Sequence, residues 1–251
     1  MRKQSRSTFL PLACIMMFAV TTATSCGNSS SDAVVIDSTA VGDTSFTQLF
    51  DGKTFAGWEA DTLVWRIEDG IVIGEVSPEK QIKTNSFLIW RADKPADFEF
   101  KAEYKITKGG NSGVQYRSEE VPDIKYAVKG YQADIDGENT YTGQNYEERG
   151  RGFLAMRGQR AVLEAGKSPI ISADSVGNSD ELKTHIKNND WNEIRLVVKG
   201  NNMKHYINGV LMSETTDNDS VNAKSSGLLG LQVHVSERMK VEYRGLVLRK
   251  L

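Results

Sequence analysis

Beyond residue 26 the chain contains no cysteine. Its two cysteines are Cys14 and Cys26, so neither a disulfide nor a thiolate nucleophile is available to the rest of the molecule. Proline is scarce, at 5 residues against 22 glycines, a balance that suits strands and turns. Net charge is only −2, which excludes the strong basic field of a nucleic-acid binder. The N-terminal apolar stretch, residues 9–20, falls short of the roughly 20 residues a transmembrane helix needs. Also missing are His-Glu-x-x-His, any Cys pair for a metal, Gly-x-Ser-x-Gly, a phosphate loop and a dinucleotide fingerprint. Serine-nucleophile hydrolysis and nicotinamide redox chemistry are thereby disfavoured.

What the N-terminus does contain is a basic start (Arg2, Lys3, Arg6), the apolar stretch, and the small residues Ala23, Thr24 and Ser25 before Cys26. This is the layout of a secretory signal ending in a lipobox. Residues 1–25 are expected to be a lipoprotein signal peptide, with Cys26 the lipid-bearing first residue of the mature protein. An ordinary signal peptide cut near Ala23 is the alternative. Residues 26–44, rich in Ser, Asp, Thr, Ala and Gly, predict a flexible tether. A soluble domain over residues 45–251 would then sit outside the cytoplasm, anchored to a bacterial membrane.

That domain reads as short β-branched and aromatic runs broken by turns. Residues 64–67 and 71–74 flank Glu68-Asp69-Gly70, a hairpin signal. Residues 98–106 alternate apolar and charged throughout, as a half-buried strand does. Further strands are expected at 112–117, 131–135, 192–198, 203–207, 210–212, 230–235 and 240–248. Almost no helical periodicity interrupts them. The fold class is therefore all-β, a two-sheet antiparallel sandwich or jelly roll.

Polar side chains recur at alternate positions on three of these strands and so share a face. The sets are Gln115 with Arg117, Gln132 with Asp134 and Asp136, and Gln232 with His234. Amides, an arginine fork and carboxylates are what a polyhydroxylated sugar requires. A merely solvated face is the plain alternative for any one pair. Tyr116, of opposite parity, is expected in the core. Of the three histidines, His185 reads as exposed and His205 as structural. His234 is the candidate base, acid or metal ligand. Asp134 and His234 could share a divalent ion. The polar run 141–152 predicts a loop over the mouth of the sheet, with Tyr146, Glu147, Arg149 and Arg151 as its functional candidates.

Several stretches together resemble the 3-keto-disaccharide hydrolase family. They are Leu49-Phe50-Asp51-Gly52-Lys53 with Gly57-Trp58, Asn111-Ser112-Gly113-Val114-Gln115-Tyr116-Arg117, and Gly130-Tyr131-Gln132-Ala133-Asp134. Next come Asp190-Trp191-Asn192-Glu193 through Tyr206-Ile207-Asn208-Gly209, then Gly230-Leu231-Gln232-Val233-His234 and Val241-Glu242-Tyr243-Arg244. The resemblance implies a concanavalin-like jelly roll that cleaves sugars oxidised at C3, by elimination followed by hydration. Many members carry Glu-x-Gln where this chain has Gln132-Ala133-Asp134. The implied chemistry needs a base for the C2 proton (His234 or Asp134) and an enolate stabiliser (Arg117 or a metal). It also needs an acid for the leaving oxygen (Glu147 or Glu148). Gln115, Gln132, Asp136, Tyr146, Arg149 and Gln232 would bind the 3-keto-glucoside. Rival readings are a non-catalytic carbohydrate-binding module and a structural surface lipoprotein.

Overall fold

A computed structural model describes residues 46–251. The signal peptide, Cys26 and the tether expected over 26–44 lie outside the described residues.

In chain order the strands are β1 (Thr47–Gln48), β2 (Trp58–Glu59), β3 (Trp65–Glu68), β4 (Ile71–Val76), β5 (Ser86–Trp90), β6 (Phe98–Ile106), β7 (Asn111–Glu120), β8 (Val128–Asp136) and β9 (Asn145–Glu148). There follow β10 (Gly152–Ala155), β11 (Arg160–Leu163), β12 (Ile170–Ile171), the short helix α1 (Ser179–Lys183), β13 (Asn192–Lys199), β14 (Asn202–Ile207), β15 (Val210–Asp217), β16 (Leu228–Val233) and β17 (Met239–Lys250).

They form two sheets. A 7-stranded sheet runs β10-β9-β8-β7-β16-β5-β2, and a 10-stranded sheet runs β12-β11-β15-β14-β13-β6-β17-β4-β3 with β1 alongside β17. The jelly-roll sandwich expected from strand spacing is the fold observed. Every pairing is antiparallel except β11 with β15, and α1 was not legible in the sequence.

Alternation explains how the layers close. On β6 the positions Phe98, Phe100, Ala102, Tyr104 and Ile106 are buried, while charged residues occupy the steps between. On β8, Tyr131, Ala133 and Ile135 point the same way and join Tyr116, Leu196, Leu231 and Tyr243 in one apolar core between the sheets. Tyr116 is core, as its parity predicts. The opposite parity of β8 (Gln132, Asp134, Asp136) therefore faces outward on the 7-stranded sheet. That outward face carries the polar site.

Candidate active site

The register of the 7-stranded sheet sets the site. Gln115 on β7 lies opposite Gln132 on β8, and Gly113 lies opposite Asp134. Gln132 in turn lies opposite Tyr146 on β9. On the other flank, Leu231 pairs with Val114, so Gln232 falls beside Gly113. Gly113 is what lets these side chains meet. A Cβ there would stand 2.6 Å from Gln132 Cγ and 2.9 Å from the Ala133 carbonyl, distances real side chains do not adopt. With hydrogen in that place, Gln132 folds across β7 toward Gln232.

Above this floor opens a cleft lined by Asn111, Gln132, Asp134, Tyr141, Gln144, Tyr146, Glu148, Phe153, Gln232 and His234. Asp134 is buried at its base. Gln132 Nε2 donates to its Oδ1 at 2.6 Å and Gln144 Nε2 to its Oδ2 at 2.5 Å. Gln132 Nε2 also lies 3.4 Å from Gln232 Oε1. Among the described residues Asp134 forms no ion pair. Burial pushes its pKa up to about 7; the two amides oppose that rise, and the charges of Asp136 and Glu148 add to it. A carboxyl titrating near neutrality at the base of a cleft is suited to moving protons.

The same cluster contains unspent hydrogen-bonding capacity. Gln132 Oε1, Gln144 Oε1 and Gln232 Nε2 are buried without a partner among the described residues. Buried polar atoms are usually satisfied, so two acceptors and a donor left over around one carboxyl mark a place built for polar ligand groups. His234 completes that flank. Its Nδ1 lies 2.7 Å from the Val235 carbonyl, which accepts the Nδ1 proton and leaves Nε2 unprotonated in the neutral ring.

The frame behind the cleft is polar. His205 is buried between Tyr116 Oη at 2.9 Å and the Gln144 carbonyl at 3.2 Å. Burial drops its pKa to about 4, so it is neutral. It is structural, as expected, and it holds the backbone from which Gln144 reaches Asp134.

The structure brings together Gln132, Asp134, Tyr146, Gln232 and His234, along with Glu148, which was expected only as an alternative to Glu147. The remaining candidates need correction. Arg117 does not reach the cleft. A bulge between Tyr116 and Glu119 breaks the alternation of β7, and Arg117 adopts φ +45°. Its guanidinium is buried and donates to the carbonyls of Ala96, Gly200 and Lys224 and to Asp97. Gln115 lies beneath the floor, fully covered, and donates to the Gly130 carbonyl at 3.0 Å.

Asp136 is consumed by the loop that follows it. Its carboxylate accepts from the backbone N–H of Thr140, Tyr141 and Thr142 at 2.8–3.0 Å. Glu147 is on the wrong face. Residues 145–148 are strand β9 rather than loop, so Glu148 points into the cleft and Glu147 points away from it. There Glu147 bonds Arg151 at 2.6 Å, and Arg151 also pairs with Asp217 and Asp219. Arg149 lines an adjacent groove with Lys129 and Lys224 and donates to Thr84 at 2.6 Å.

A divalent ion shared by Asp134 and His234 does not fit the residues present. No group of three His, Cys, Asp or Glu side chains gathers as a metal shell among the described residues, and both Asp134 oxygens already accept amide N–H. Sequence reasoning also missed Asn111, Tyr141, Gln144 and Phe153 as cleft residues. Gln144, two residues before Tyr146, shares its strand-like approach. Phe153 was invisible because the Gly-rich run 149–152 reads as loop, and the short β10 that follows carries no alternation of polar and apolar residues.

Residues 45–249 match the 3-keto-alpha-glucoside-1,2-lyase-like domain family. A 3-keto-disaccharide hydrolase of Bacteroides thetaiotaomicron is 41% identical over 83 residues, which is 30% of this chain and 28% of that protein. The match thus spans under a third of the curated relative. Among solved structures, a candidate glycosyl hydrolase of Parabacteroides distasonis superposes with a TM-score of 0.52 at 19% identity, over 83% of this chain and 94% of its own. A carbohydrate-binding module, CBM66 of Bacillus subtilis, does so with a TM-score of 0.50 at 16% identity, over 77% and 96%. At those identities the likeness speaks to fold alone. The family match, which covers nearly all the described residues, carries the assignment: this chain belongs to the 3-keto-alpha-glucoside-1,2-lyase-like domain family.

Proposed function

We propose that the protein is a carbohydrate-active enzyme that cleaves 3-keto-glucosides by elimination and rehydration. The observation that carries this reading is Asp134: a buried carboxyl clamped by two amides at the base of a cleft with unspent donors and acceptors.

The ketone at C3 makes the C2–H bond acidic. Asp134, ionised, takes that proton. Gln232 Nε2, the unpartnered donor, hydrogen-bonds the enolate oxygen as charge builds there. The C1–O bond breaks, and Glu148, loaded with a proton from solvent, delivers it to the departing oxygen. In the second half Glu148, now ionised, takes a proton from water as the water oxygen bonds to C1. Asp134, its proton exchanged with solvent after the leaving group departs, protonates C2. Both carboxyls regain their starting states, and the net reaction is hydrolysis. Gln132 Oε1 and Gln144 Oε1 accept from sugar hydroxyls, and His234 Nε2 accepts from another.

Purified protein incubated with a 3-keto-glucoside is expected to release 3-keto-glucose. Absence of release with any 3-keto-glucoside, alongside measurable binding of intact glycan, would instead favour a carbohydrate-binding module, a reading the exposed aromatic rings of the cleft also accommodate. The anchored location belongs to this proposal too, and it rests on the sequence around Cys26. Cells fed labelled palmitate should label the wild-type protein and leave Cys26→Ser unlabelled.

A further inference from the structure

The cleft has one wall that the chemistry above leaves unused. Phe153 and Tyr141 are 51% and 38% exposed, and neither belongs to the apolar core between the sheets. Their rings lie nearly parallel, with centroids 6.1 Å apart and an interplanar angle of 25°. Tyr146 meets Phe153 edge-on at 5.2 Å. Large aromatic rings held side by side in solvent at a cleft rim need a reason, because burial does not supply one.

The rim is also held in place. Tyr141 N–H donates to Asp136 Oδ1 at 2.8 Å, and the Tyr141 carbonyl accepts from Gln144 N–H at 3.1 Å. Arg157 ties the same loop through the carbonyls of Asn139 and Thr142. Asp136 thus does for the rim what the amides do for Asp134. On the opposite side, Phe153 rides on β10 opposite Tyr146.

Register gives the spacing. Gln132, Tyr146 and Phe153 occupy one cross-strand row, so Phe153 sits two strand spacings, about 10 Å, from the Gln132 position. That is too far to stack on the sugar ring whose C2 lies at Asp134. It is the reach of the next ring along. Glu148, which protonates the departing oxygen, is on β9, between the two.

We propose that Tyr141, Tyr146 and Phe153 form a subsite for a ring-shaped leaving group, so that the enzyme selects glucosides whose C1 substituent presents a flat apolar ring face. A second pyranose and an aryl group share that chemistry. This inference rests on the proposed function for which ring is the leaving group, but not for whether the rim binds.

The test is titration calorimetry of the intact protein with unoxidised glucosides, where no turnover intervenes. The ligands are maltose, 4-nitrophenyl α-D-glucoside and methyl α-D-glucoside. At least one ring-bearing ligand should bind about tenfold tighter than the methyl glucoside. Phe153→Ala and Tyr141→Ala should bring that ratio within twofold, with thermal midpoints unchanged since both rings are exposed. Preference for maltose would name a sugar as the leaving group, and preference for the nitrophenyl compound an aryl group. Equal affinity for all three ligands, a ratio that survives both substitutions, or no binding of any ring-bearing ligand would overturn the inference. An intact ratio without cleavage of any 3-keto-glucoside would defeat the enzymatic reading and leave the rim standing.

Discussion

Strands β8 and β9 carry a buried polar cluster on each face, and the two are opposites. On the inner side Arg151 pairs with Glu147, Asp217 and Asp219 at 2.6–3.2 Å. Tyr131 Oη donates to Asp217 at 2.5 Å. Each carboxylate there has a cation. On the outer side Asp134 has two amides and no cation, and three amide atoms around it find no partner. The inner cluster is saturated and holds the fold; the outer one is incomplete until a ligand arrives. Counting charged residues would rank the inner cluster higher. Counting unmet hydrogen bonds picks out the outer one, and that is the better guide to function.

The sharpest way to break this comparison is to neutralise each centre. Asp134→Asn should lower 3-keto-glucoside cleavage by about 10²–10⁴-fold, the usual weight of a general base, while the thermal midpoint stays near wild type. Arg151→Met should do the reverse in kind. It leaves Glu147 and Asp217 buried without their cation and should cost about 3–5 kcal/mol in denaturant unfolding.

Neighbouring glutamates sharpen it further. Glu148→Gln should cut cleavage about 10²-fold, whereas Glu147→Gln should show its loss in stability, by about 1–3 kcal/mol. Equal kinetic losses from the two would contradict their placement on opposite faces.

The pH response of Asp134 should run in two directions. As a base it must be ionised, so cleavage is expected to fall as pH drops through about 7. Stability moves the other way. The folded state holds the Asp134 proton more tightly than the unfolded chain, whose aspartate titrates near 3.8. The folded state therefore binds more protons between those values, and stability declines as pH rises from about 4 to 7. Asp134→Asn should flatten that slope. A smaller effect is expected from Gly113→Ala, whose Cβ would press on Gln132. It should cost about 1–3 kcal/mol and weaken cleavage by displacing one amide from Asp134.

How far the sequence leads follows from the same strands. Alternation at 98–106 and 131–135 is strict, so β6, β8 and the outward parity of Gln132 and Asp134 were legible. Asn-Gly at 208–209, a tight-turn pair, sits at the β14–β15 hairpin. Two features broke the pattern. The bulge after Tyr116 carries no sequence signal, and it moved Arg117 out of the row that Gln115 suggested. The polar composition of 141–152 hid β9, so Glu147 and Glu148 looked equivalent although one residue of register separates cleft from network. Asp136 shows a third limit: parity places a side chain on a face but does not say whether a following loop will claim it. Phe153, the most exposed ring of the rim, stands outside every motif.

The measurement that bears most directly on the central claim is deuterium exchange at C2. A 3-keto-glucoside incubated in D2O with the wild-type protein should yield 3-keto-glucose deuterated at C2, seen by NMR, because Asp134 returns a solvent-derived deuteron. Asp134→Asn should neither release sugar nor exchange the C2 proton above the protein-free blank. Release and exchange at the wild-type rate in that variant would contradict the account.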